Sequence, residues 1–333
     1  MNSTESRALL SALQARGLIA DDVVQPGAAS DGLPDRPWYI SLLLGTSGWL
    51  AGAFLLAFVA VLFHPDSADK AAVSGLVLLT AAWGLFKADR DGAFTSQLAL
   101  ALSVAGQCLM VFAMSGHSHR LAAVASAALV LQTALVLIMP SRLHRVMSTL
   151  FATIAWALML RFGLFGEPDW SGARNAAPSL VAALSGWALA WAPVGAGLWW
   201  LIRSEPNWVA RSWPPVLRPL LSGLIIGLAF ATLVSQPFES FRWWGNVPVR
   251  QDWLALWPLL SAGAALAAVG AAFALGSRAL MGACIVAVLL HVSHFYYELG
   301  TSLLLKSLLM LVTGVALWFA ARWLAAPPNG VKA

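Results

Sequence analysis

The 333 residues are 59% hydrophobic and only 11% charged, against about 25% charged in a typical soluble domain. That deficit excludes a soluble globular fold, and a formal charge of +5 carried by scattered lysines and arginines offers no basic patch for nucleic acid. Apolar runs of about 20 residues recur from Trp38 onward, the length that spans a hydrocarbon core of roughly 30 Å, so the fold class is an all-α membrane protein.

In chain order, residues 1–37 form a polar tail with three arginines against five acids and no apolar stretch of the signal-peptide kind. The first hydrophobic run is therefore expected to be a retained span. Within the tail, "STESRALLSALQARGLIADD" sets Leu9, Leu10 and Leu13 on one face, with Ser3 or Thr4 as N-cap and Gly17 as stop, which predicts one short amphipathic helix.

About ten transmembrane helices follow within residues 38–324, at 38–63, 71–86, 94–114, 121–139, 144–165, 179–202, 217–234, 254–275, 279–298 and 301–324. Residues 325–333 form a short C-terminal tail. Turn-forming linkers such as "HPDSADK" and "SEPNWVARSWPP" separate the spans, and none is long enough to fold as a domain. Many of the seventeen tryptophans, Trp38, Trp199, Trp253 and Trp323 among them, fall near span ends, where indole favours the headgroup level. Lysines and arginines lie about two to one on the side that holds the tail, so both termini are expected in the cytoplasm. Gly48 with Gly52, and Gly223 with Gly227, have the spacing that lets helix backbones approach closely. The alanine-rich eighth span is expected at the centre of the bundle, and Pro193 and Pro258 lie inside spans.

No catalytic signature occurs: no HExxH, GxSxG, phosphate loop or dinucleotide fingerprint, and no group of acids within the spans. The candidate functional residues are polar groups in apolar surroundings, because burying them in lipid is expensive. "HVSHFYYELGTSLLLKS" gathers His291, His294, Tyr296, Tyr297, Glu298, Lys306 and Ser307. His291, His294 and Glu298 share one helical face, and the short turn after them predicts an antiparallel hairpin of the last two spans, with Lys306 level with Ser293 or His294. Two histidines and a glutamate are a weak zinc pattern, so neither a metal nor a cofactor is expected. Elsewhere Gln97, Gln107 and Gln132 are intramembrane candidates that bond across helices or line a path, Arg161 reaches the interface, and His117 and His119 belong to a solvated loop.

The C-terminal "SHFYYELGTSLLLKSLLMLVTGVALWFAARWL" and the N-terminal "ALLSALQARGLIADD" resemble a family of bacterial polytopic membrane proteins grouped as domain of unknown function 4401. The resemblance rests on the aromatic pair Tyr296 and Tyr297, the polar turn from Glu298 to Thr301, Lys306 with Ser307, and a final helix containing Gly314. His291 and His294 fall outside that pattern. The resemblance implies a multi-pass protein of the bacterial inner membrane whose partners, besides the lipid bilayer, are membrane proteins encoded nearby, with no assigned activity.

The expected function is thus a non-enzymatic subunit or partner-binding component of an inner-membrane assembly. A ten-helix small-molecule transporter resembling drug and metabolite exporters is the first alternative, and requires a polar cavity near the midplane joining Gln97, Gln107 or Gln132. A membrane-embedded sensor or metalloenzyme using the ninth-span histidines is the second.

Overall fold

In a computed structural model of the chain, the residues described are 38–63, 66–88, 92–166, 179–231, 256–298 and 302–325. The expected tail helix and the C-terminal tail beyond Ala325 lie outside them. Their regular structure is all helical: α1 (Trp38–Phe63), α2 (Ala68–Ala88), α3 (Ala93–His117), α4 (Leu121–Ile138), α5 (Arg142–Phe165), α6 (Leu180–Ala210), α7 (Pro214–Ala229), α8 (Leu256–Ala274), α9 (Arg278–Glu298) and α10 (Leu303–Ala325). Among the described residues, eight are long and apolar enough to cross a membrane. In the other two, α7 and α10, the apolar stretch of described residues is shorter, Pro215–Ala229 and Leu303–Val312. At 16 residues α7 extends about 24 Å, short of the roughly 30 Å core, and its expected end at 234 lies outside the described residues.

Two helix groups make up the bundle. α2 packs along α3, and α1 packs on α3. α4 pairs with α5 and α8 with α9, while α7 binds the second group together by touching α5, α6, α8 and α9. Both glycine pairs sit at crossings. A Cβ on Gly48 would stand 2.9 Å from the Phe94 carbonyl oxygen of α3, and one on Gly223 would stand 2.6 Å from the Val146 carbonyl oxygen of α5. Only a residue without a side chain permits those backbone approaches. The alanine-rich α8 is central as expected, with Ala265, Ala268 and Ala272 fully buried against α7 and α9.

Three expectations change. The linker "SEPNWVARSWPP" is largely helical: α6 runs 31 residues to Ala210, through Pro206, so it is about 46 Å long and overshoots the hydrocarbon thickness. The fifth helix starts at Arg142 rather than 144, because Ser141 is an N-cap whose side chain accepts the His144 amide. The last two helices are not a packed hairpin. Among the described residues α10 lies along no other helix, and Leu303 and Leu304 are 83% and 79% exposed. A short turn forces two helices to start near each other, but in lipid no hydrophobic force then presses their apolar faces together.

Candidate functional site

Within "HVSHFYYELGTSLLLKS" the described side chains take different settings. His291 turns inward, its Nε2 lying 2.9 Å from the Ala229 carbonyl oxygen. That carbonyl is the last of α7 and has no intrahelical donor. A carbonyl only accepts, so Nε2 carries the proton and the imidazole caps the helix. Tyr296 is buried with its ring edge-on to Phe295, whereas His294 is half-buried and Ser307 exposed. Lys306 stands in the first turn of α10, half-buried, its backbone amide bonded to the Ser302 carbonyl. The side chains of Tyr297 and Glu298 lie outside the described residues. Among those described, no three histidine, cysteine, aspartate or glutamate side chains gather as metal ligands.

The intramembrane glutamines separate into two settings. Gln97 accepts a bond of 3.1 Å from the Trp49 indole, tying α3 to α1. Gln107 and Gln132 meet directly, the Gln132 amide donating to Gln107 Oε1 at 3.0 Å. The same Gln107 amide nitrogen lies 3.2 Å from both Ser103 Oγ and His144 Nε2. Ser103 Oγ is 2.6 Å from that imidazole nitrogen, and Ser148 Oγ is 3.2 Å from His144 Nδ1. All five side chains are buried, and Phe86 of α2 closes the cluster edge-on to the imidazole.

One proton arrangement satisfies these distances. Ser103 and Gln107 donate to His144 Nε2, Nδ1–H donates to Ser148, and the ring is neutral. Gln132 Oε1 is left buried with no partner among the described residues. The network crosses the seam between the two helix groups, since Ser103 and Gln107 belong to α3 and the other members to α4 and α5. Apolar packing of Leu79, Phe86, Ala99, Leu100, Leu135 and Met139 surrounds it.

A serine hydroxyl on an imidazole nitrogen is also the geometry of a nucleophile and its base. Here both side chains have no accessible surface and the far ring nitrogen meets a hydroxyl rather than a carboxylate. The bonds link α3 to α4 and α5.

Next to His144, Arg145 makes a second link. Its Nε donates to the Val136 carbonyl at 3.2 Å and its Nη1 to the Pro215 carbonyl at 2.9 Å. Pro215 O has no helical donor, because the residue four places on is Pro219, which lacks an N–H. The guanidinium supplies it, joining the end of α4 to the start of α7.

Sequence reasoning missed Ser103, His144, Arg145 and Ser148. His144 and Arg145 stand at the expected start of the fifth span, next to Arg142. A signal was present: Ser103 with Gln107, and His144 with Ser148, are each four apart, so each pair shares a helix face. His117 is also not a loop residue. It ends α3, with Nε2 3.3 Å from Asp69 Oδ1 at the start of α2.

A family model described as Domain of unknown function (DUF4401) matches residues 37–247 and 252–326. No curated protein and no solved structure matches the chain.

Proposed function

The chain belongs to the DUF4401 family, and since that family has no assigned function we propose, on structural grounds, that this protein is a non-enzymatic component of a bacterial inner-membrane assembly, with both termini cytoplasmic. The carrying observation is α10, a 23-residue apolar helix that lies along no other helix among the described residues. Membrane helices associate by close van der Waals packing that small residues permit. Gly314 of α10 faces open space, with no atom within 4 Å of where a Cβ would stand. On α8, Gly263, Ala267, Gly270 and Ala274 form a further exposed row of small residues. Both are surfaces suited to helices of another membrane protein.

Transport takes second place. It needs a path through the glutamines, and Gln107 and Gln132 are buried and bonded to each other while Gln97 is engaged by Trp49. The sensor or metal reading is weaker still, because His291 is committed to the end of α7.

Purification in mild detergent at native expression level tests the assembly. The expected result is one membrane protein recovered in fixed ratio, with Gly314→Ile reducing that ratio and leaving the melting temperature unchanged. Recovery of the wild type as a lone monomer overturns the proposal.

A further inference from the structure

At the end of the bundle where α5 and α7 begin, a cavity of about 800 Å³ opens between α5, the end of α6 and the start of α7. Its shape follows from the local sequence. Ser212 adopts a left-handed conformation (φ 58°) that reverses the chain after α6. Pro214 and Pro215 then occupy the first turn of α7, where a missing N–H costs nothing. Pro219, one turn on, contributes an apolar ring to the wall, which Val146 and Val209 continue. Arg142 and Arg218 provide its charge.

The cations here outweigh the anions. Arg142, Arg145, Arg211 and Arg218 cluster at this end in sequence and fold, and Glu205 pairs with Arg218 Nε at 3.1 Å. Among the described residues the Arg145 guanidinium bonds to the carbonyls of Val136 and Pro215. Arg142 is exposed and has no hydrogen bond or ion pair among the described residues. A guanidinium in that position is matched by a phosphate, to which it can offer two parallel donors. The apolar wall would be idle against a soluble anion, but it is what an acyl chain or glycerol backbone needs. Basic cavities between membrane helices on the cytoplasmic side hold anionic lipid headgroups for these reasons, and the lysine and arginine bias assigns this end to the cytoplasm.

The geometry points to a bound anionic phospholipid, its phosphate held by Arg142 and Arg218 and its apolar part lying along Val146, Val209 and Pro219. The volume is within the roughly 300–1,000 Å³ of ligand cavities.

Native mass spectrometry of the full chain, incubated with equal amounts of phosphatidylglycerol and phosphatidylcholine, tests it. Phosphatidylglycerol should be retained in preference to phosphatidylcholine, and Arg142→Gln should weaken that retention by about fivefold, the contribution of one interfacial arginine. Arg142→Lys, which keeps the charge but loses the paired donors, should fall between wild type and Arg142→Gln. Arg278→Gln, at the start of α9 and outside the cavity, should change nothing. Equal retention of the two lipids by the wild type, or undiminished phosphatidylglycerol on a folded Arg142→Gln variant, overturns the proposal. Displacement of the lipid by inorganic phosphate at the same concentration also overturns it, by assigning the site to a soluble anion.

Discussion

Replacing His144 by leucine should loosen the seam between the two helix groups. The ring makes two contacts across that seam, to Ser103 at 2.6 Å and Gln107 at 3.2 Å, and one within its own helix to Ser148. A side-chain bond between membrane helices contributes about 0.6 kcal/mol on average and up to about 1.7. Loss of the two cross-helix bonds therefore costs about 1–3 kcal/mol, with leucine filling much of the vacated volume. Gln132→Leu supplies the contrast. It removes one cross-helix bond but also the buried Oε1 that has no donor among the described residues, so its net cost should be about 0–1 kcal/mol. Thermal unfolding in mild detergent, followed by tryptophan fluorescence, should place His144→Leu well below wild type and Gln132→Leu close to it. A double-mutant cycle of Gln107→Leu with His144→Leu should return a coupling of about 0.5–1.7 kcal/mol. Zero coupling, or equal melting of the two single variants, would refute the bridging role.

Gly223→Ala should cost about 1–3 kcal/mol, because its Cβ would stand 2.6 Å from both Val146 O and Thr149 Cβ, while Gly84→Ala, facing open space, should melt like wild type. His291→Leu leaves the Ala229 carbonyl unpaired and should lower stability by about 1–3 kcal/mol, read from the same melting curves. Lys306→Met should reduce the yield of folded protein in membranes and Lys306→Arg should restore it, since a long cationic side chain near a span end can extend to the interface. A methionine variant that folds in normal yield yet loses its cellular phenotype would reassign Lys306 to function.

Helix class and the succession of ten helices were legible because length and hydropathy report directly on the bilayer, although among the described residues eight of them, not ten, are long and apolar enough to span it. The crossings at Gly48 and Gly223 were legible because only glycine permits them. Partner choice between helices was not. The pairing of α9 with α10 was inferred from a short turn, an argument that depends on apolar burial, and lipid removes that driving force. The length of α6 was hidden because Pro206 and Glu205 read as a linker, although proline disrupts only the bond four residues back. For the candidate site, Gln107 and Gln132 stood out as amides in apolar runs. His144 did not, because it lies at the very start of an expected span, between Arg142 and Arg145 and outside the apolar run.

The seam also dictates an order of assembly. The most extensive packing joins helices adjacent in the chain, α2 with α3, α4 with α5 and α8 with α9. Each such hairpin can settle as it leaves the insertion machinery, without waiting for distant sequence. Gln107 meets Gln132 once α4 is inserted, but Ser103 stays short of its imidazole until the first turn of α5 arrives. A chain that ends between α4 and α5 holds the Gln107–Gln132 bond but lacks the imidazole that Ser103 and Gln107 meet.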